Sequence, residues 1–108
     1  MCDLQDLMDY IEKRYVFSPE NYPRMRTMSA IKRFVFAVNH SHLHMSKSLG
    51  VIAAVLEGHD HANGGVMNVG DIKIATAKML INTLKLAQEL GMSADDLVAL
   101  TEQSMKSK

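Results

Sequence analysis

Apolar residues between positions 31 and 56 recur at intervals that alternate between four and three, and this spacing constrains the fold more than any other feature of the sequence. Such intervals place side chains along one side of an α-helix and are typical of helices that pack in bundles. The spacing predicts one long helix over about residues 27–57. The residues that carry the pattern, which we call the seam, are Ile31, Val35, Val38, His42, Met45, Leu49, Ile52 and Leu56.

Other helices are predicted on both sides of this one. Asp3 can cap a short amphipathic helix that ends near Arg14, and Asp71 can cap a second long helix that ends near Leu90. The second long helix is apolar on most of its circumference, which predicts burial on more than one side. Between the two long helices, residues 58–70 carry turn signals, the strongest of them at 63–65.

The C-terminal part of the chain predicts one more helix. Gly91 is placed to end the second long helix, and Ser93 with Asp96 resembles a capping box that opens a helix over about residues 94–103. The composition agrees, since there are nine methionines, no tryptophan and few of the aromatic residues that strands prefer. We predict a single all-α domain over residues 1–108. It is a helical bundle with two long antiparallel helices and shorter N- and C-terminal helices.

Several functional classes are disfavoured by composition. No apolar run approaches the roughly 20 residues of a membrane span, and no secretory signal opens the chain. The single cysteine, Cys2, fits a reducing cytoplasm. Nucleic acid is an improbable partner, because the net charge is zero and no aromatic residues are interleaved with the basic cluster of Arg24, Arg26, Lys32 and Arg33.

The histidines and lysines of the long helices predict an anion site. All five histidines lie between positions 40 and 61. His40, His44 and Lys47 share one face of the first long helix, because they are spaced i, i+4 and i+7. With Lys78, Asn82 and Lys85, which lie on the polar stripe of the second long helix, they would form a cationic pocket. The natural occupant of such a pocket is a phosphorylated small molecule.

Two alternatives remain open from the residues alone. One is a transition-metal-dependent hydrolase, because histidines at i and i+4 have a chelating spacing, and its ligands would come from His40, His44, His59, Asp60 and His61. The other is a non-catalytic interaction module whose histidines are packed. In either case we interpret His42 as a hydrogen-bonded core or interface residue, because it is a member of the seam.

The segments HLHMSKSLGVIAAVLE and DIKIATAKMLINTLKLAQELGMSADDLVAL, separated by a turn, resemble the all-α nucleoside triphosphate pyrophosphohydrolases of the MazG type. The resemblance covers about residues 28–105 and lies in helix lengths and apolar positions. It implies a dimer or tetramer in which helices of different subunits share a core. It also implies magnesium bound through a Glu-Glu-x-x-Glu motif on one helix and a Glu-x-x-Asp motif on the next.

This chain has no carboxylate at the positions that match those motifs. The first motif falls on Lys47, Ser48 and Val51, and the second falls on Ala75 and Lys78. Lysines at two of these positions reverse the charge, so that an ammonium group could neutralise a bound phosphate directly. Our leading hypothesis is therefore an oligomeric, MazG-like protein that binds a nucleotide or another phosphorylated molecule. The proposed ligand contacts are Lys47, Lys78, Asn82 and His40, and the proposed acid–base groups are His44 and His61, with Asp60 to orient a histidine.

Overall fold

The computed structural model of the protein describes residues 3–61 and 67–106, and across these residues it is all-helical, as predicted. Cys2, the turn predicted at 63–65 and the last two residues lie outside the described residues. Four α-helices and one 3-10 helix follow in order: α1 Leu4–Arg14, the 3-10 helix Pro23–Thr27, α2 Ala30–His61, α3 Val69–Glu89 and α4 Ala94–Lys106. No helix within the described ranges is long and apolar enough to cross a membrane.

The capping residues of α1 and α4 are those predicted. The Asp6 amide donates to the Asp3 side chain at 2.8 Å, so Asp3 caps α1. At α4 the Asp96 amide donates to Ser93 Oγ at 3.2 Å, while the Ser93 amide donates to Asp96 Oδ2 at 3.0 Å. These reciprocal bonds form the capping box. Gly91 has a φ of 76°, a left-handed conformation that ends α3 at low steric cost.

Two predicted boundaries were wrong. The first long helix does not stop near Glu57 but continues through Gly58 to His61, since each added residue gains a hydrogen bond that offsets the cost of one glycine. The second begins earlier than predicted, at Val69, because Asn68 caps it and accepts the Asp71 amide at 3.1 Å. Pro23 opens the 3-10 helix, where its missing N–H group is not needed.

Helix α3 lies at the centre of the fold and packs against both α2 and α1. Its pairing with α2 is antiparallel: Thr83 Oγ1 lies 4.0 Å from Met45 Sδ, and a short link joins the two helices end to end. The core lies on the α1 side of α3, where Met8 and Ile11 pack with Leu84, Ala87 and Ala94.

The seam of α2 is covered only in part. In the single chain Ile31 is 72% exposed, Val35 58%, Leu49 55% and Leu56 43%. Val38, Met45 and Ile52 are half-buried, and Met45 contacts Thr83 of α3. The interpretation of His42 as a core residue is wrong for the single chain, because His42 is exposed. The buried residues of α2 are Ala37, Ser41 and Ser48, all of which have small side chains.

Candidate functional site

A cavity of about 700 Å³ lies between α2, α3 and the segment that precedes α2. This volume is in the range of small-molecule sites. Aromatic residues line it from the N-terminal segment, histidines and a lysine from α2, and lysines and an asparagine from α3. The lining residues are Tyr15, Phe17, Tyr22, His40, His44, Lys47, Ser48, Val51, Asp71, Ile74, Ala75, Lys78, Ile81, Asn82 and Lys85.

The cationic residues predicted from the sequence lie together in this cavity. Lys47 from α2 and Lys78 from α3 both line it, because the two helices run antiparallel with these residues on facing flanks. Both side chains are exposed, and neither forms an ion pair within residues 3–61 and 67–106. Asn82 also lines the cavity, and its amide donates to the Lys78 carbonyl at 2.8 Å. The cavity therefore offers two ammonium groups to an anion.

His40 and His44 form a hydrogen-bonded pair at the aromatic end of the cavity. Their Nε2 atoms are 3.0 Å apart, and Tyr22 Oη lies 3.2 Å from His40 Nε2. The His40 ring stacks on Phe36 and forms T-shaped, edge-to-face contacts with Phe17 and Tyr22, with ring centres 5.0–5.6 Å apart. A hydrogen bond between the facing nitrogens requires that one imidazole donates an N–H group and that the other accepts it.

Burial lowers the pKa of His40 below its usual 6.5, and the neighbouring charge of His44 lowers it further. The unfolded chain therefore binds a proton at a pH where folded His40 is still neutral. We expect the free energy of unfolding to decrease as the pH falls below 6.5. His40→Gln should flatten this dependence, whereas the same change at the exposed His42 should not. Urea unfolding across a pH series measures both slopes, and an unchanged slope in His40→Gln would contradict the assignment.

Lys85 is a buried lysine that sequence reasoning placed on a polar stripe of α3. It is only 5% exposed and lines the cavity. Its ammonium lies 3.4 Å from Glu89 Oε1 and 4.9 Å from the centre of the Phe17 ring. The i, i+4 spacing of Lys85 and Glu89 was the available signal for the ion pair. The position of Phe17 had no sequence signal, since Phe17 lies in an irregular segment without periodicity.

His59, Asp60 and His61 do not reach the cavity. They occupy the last turn of α2 instead of a loose turn after it, which corrects the position predicted for them. At 1.5 Å per residue, Asp60 lies about 24 Å along the helix from His44. The predicted acid–base group of His44, Asp60 and His61 is therefore not brought together.

The ligands predicted for the transition-metal-dependent hydrolase are also too far apart to bind one metal ion together. His40 and His44 lie at the cavity, and His59 and His61 lie at the far end of the same rigid helix. No group of three or more histidine, cysteine, aspartate or glutamate side chains in the described part of the chain is arranged to hold a metal ion.

Comparisons with protein-family models, with curated proteins and with solved structures found no match to this chain. The chemistry of the cavity residues is thus the basis for a functional proposal.

Proposed function

We propose that the cavity binds a phosphorylated small molecule, of which a nucleotide fits best, and that Lys47 and Lys78 hold its phosphate groups. The observation that carries the proposal is the convergence of these two unpaired lysines, one from each long helix, on one cavity. Unpaired ammonium groups in a concave site attract phosphate and form charge-assisted hydrogen bonds with it. The lone cysteine is consistent with a cytoplasmic protein.

The opposite end of the cavity suits the organic part of such a ligand. Tyr15, Phe17 and Tyr22 line that end, next to His40. Aromatic side chains stack on nucleobases without strong preference for one base. A molecule with a planar ring at one end and phosphates at the other would match both ends of the cavity.

The MazG-like resemblance remains a proposal, and the cavity gives it some support. All five positions onto which the two family motifs fall, Lys47, Ser48, Val51, Ala75 and Lys78, line this cavity. These residues do not fit magnesium, which prefers carboxylate oxygens, and two of them are cations. We therefore propose that lysine ammonium groups take over phosphate binding at the place where that family binds magnesium.

The histidine pair is the acid–base group that we assign to this site. His44 lines the cavity and is exposed, and its Nε2 is hydrogen-bonded to His40 Nε2. Imidazole nitrogens can accept or donate a proton, which is the chemistry of a general acid or base. We propose that binding is the primary activity, and that any hydrolysis depends on His44 and not on Asp60 or His61.

Titration calorimetry with nucleoside mono-, di- and triphosphates tests the proposal, with nucleosides and inorganic phosphate as partial ligands. We expect affinity to increase with phosphate number. We expect it to fall roughly tenfold or more in Lys47→Ala with Lys78→Ala, because each charge-assisted bond contributes substantially. Lys73→Ala is the matched control, since Lys73 is an exposed lysine of α3 outside the cavity lining. No binding at ~1 mM ligand, or equal affinity in the double variant, would refute the proposal.

A further inference from the structure

The protein exposes much more surface than a compact chain of its mass. Its accessible surface is 7950 Å² for 12.0 kDa. A compact monomer of that mass exposes about 6,000 Å², so the excess is about 2,000 Å². A typical protein interface covers about 800 Å² on each partner. The excess is therefore large enough to supply a complete interface, and many large apolar side chains are among the exposed residues.

Five of the eight seam residues belong to that exposed surface. Four of them are the apolar residues Ile31, Val35, Leu49 and Leu56, at 72%, 58%, 55% and 43% exposure, and the fifth is His42. The seam lies about a quarter turn around α2 from the buried residues Ser41 and Ser48. His40 and Leu49 are nine positions apart, so they project from opposite sides of α2. A partner on the seam would leave the cavity open.

We propose that a second copy of this chain docks on the seam, with the two α2 helices antiparallel and a two-fold axis at the midpoint of the seam, between His42 and Met45. The intervals of the seam read four, three, four, three, four, three, four in both directions. The seam is therefore self-complementary under this rotation, as a two-fold interface requires. Ile31 would meet Leu56 of the partner subunit, Val38 would meet the partner's Leu49, and His42 would meet the partner's Met45.

The charges of α2 select the antiparallel orientation. Lys32 and Arg33 lie in its first turn, whereas its two carboxylates, Glu57 and Asp60, lie near its C-terminal end. Lys32 and Glu57 are exposed and project to the same flank of the seam. The antiparallel arrangement places Lys32 beside the partner's Glu57 at each end. A parallel arrangement would place Lys32 and the partner's Glu57 at opposite ends of the helices, so that neither pair could form.

Sedimentation equilibrium of the full chain tests the proposal through the oligomeric state. We expect a dimer, and we expect Leu49→Glu to weaken it roughly 100-fold or more, because two carboxylates would then be buried in one interface. Leu43→Glu is the matched control, since Leu43 is on the same helix and is 54% exposed but projects away from the seam. Val35→Glu should act like Leu49→Glu. Both are exposed positions, and circular dichroism would verify that the helices persist.

A charge exchange tests the orientation. Within one copy Lys32 and Glu57 are about 37 Å apart along α2, so they can interact only between copies. We expect Lys32→Glu to weaken the dimer roughly threefold to tenfold, as rim ion pairs do, and Lys32→Glu with Glu57→Lys to restore it. A monomeric wild-type protein, a dimer insensitive to Leu49→Glu, or a double variant weaker than the single one would overturn the proposal. Titration calorimetry with nucleotides on the Leu49→Glu variant measures whether the monomer binds the ligand. Because ligand binding needs only the cavity, the dimer proposal and the proposed function can fail independently of each other.

Discussion

Leu84→Ala is expected to lower the free energy of unfolding by about 3 kcal/mol. Leu84 is 1% exposed and packs in the core with Met8, Ile11 and Ala87. The substitution removes buried methyl groups and leaves a cavity that the surrounding helices can fill only in part. Because this core joins α1 to α3, its loss should release α1 before it melts the α2–α3 pair.

Urea unfolding followed by circular dichroism measures this effect, at one fixed protein concentration because self-association would add to stability. Leu80→Ala is the control, since Leu80 lies on the same helix but is 48% exposed. Its effect should stay within about 0.5 kcal/mol. Similar losses in the two variants would mean that Leu84 is not a core residue.

Lys85→Glu is expected to destabilise the protein by about 3 kcal/mol or more, because it places an uncompensated charge in a buried position. The new carboxylate would lie four residues from Glu89, its present ion-pair partner, and against the ring of Phe17. The face of an aromatic ring carries negative potential, so both neighbours of the ammonium would repel the replacement.

Lys85→Met distinguishes the contribution of the charge to stability from the contribution of side-chain packing. Methionine keeps much of the length and the apolar stem of lysine, and replacing a buried ion pair by apolar groups is often close to neutral. We expect a change within about 1 kcal/mol, measured by the same urea titration. If Lys85→Glu proved as stable as Lys85→Met, the side chain at this position would have to be solvated, and its contacts with Glu89 and Phe17 would be unimportant.

Leu84 and Lys85 are adjacent in α3, but burial was predictable from the sequence for Leu84 and not for Lys85. Apolar periodicity predicted that α3 is buried on more than one side, and Leu84 is a core residue for that reason. The same periodicity placed Lys85 on the polar stripe, since lysine is ordinarily exposed. Its burial depends on Phe17, which an irregular segment brings over α3. No local pattern encodes the path of such a segment.

The candidate site was predictable to the extent that it depends on helix geometry. His40, His44 and Lys47 share a face because of their spacing, and Lys78 and Asn82 do so for the same reason. The error concerned the end of α2, where Gly58 was taken as the helix terminus. The helix continues by one turn. His59, Asp60 and His61 therefore lie in the last turn of α2, at a distance from the cavity.

The sequence by itself determined the helices, their caps at Asp3, Ser93 and Asp96, and the helix faces on which the charged and apolar residues lie. These features depend on interactions among residues three or four positions apart, and such interactions can be recognised from the sequence alone. Only the tertiary structure decided which apolar face α3 covers. The buried residues of α2 are the small side chains of Ala37, Ser41 and Ser48, and five of the eight seam residues stay exposed. Choosing between two packable faces is a competition between long-range contacts, and no local spacing records its outcome.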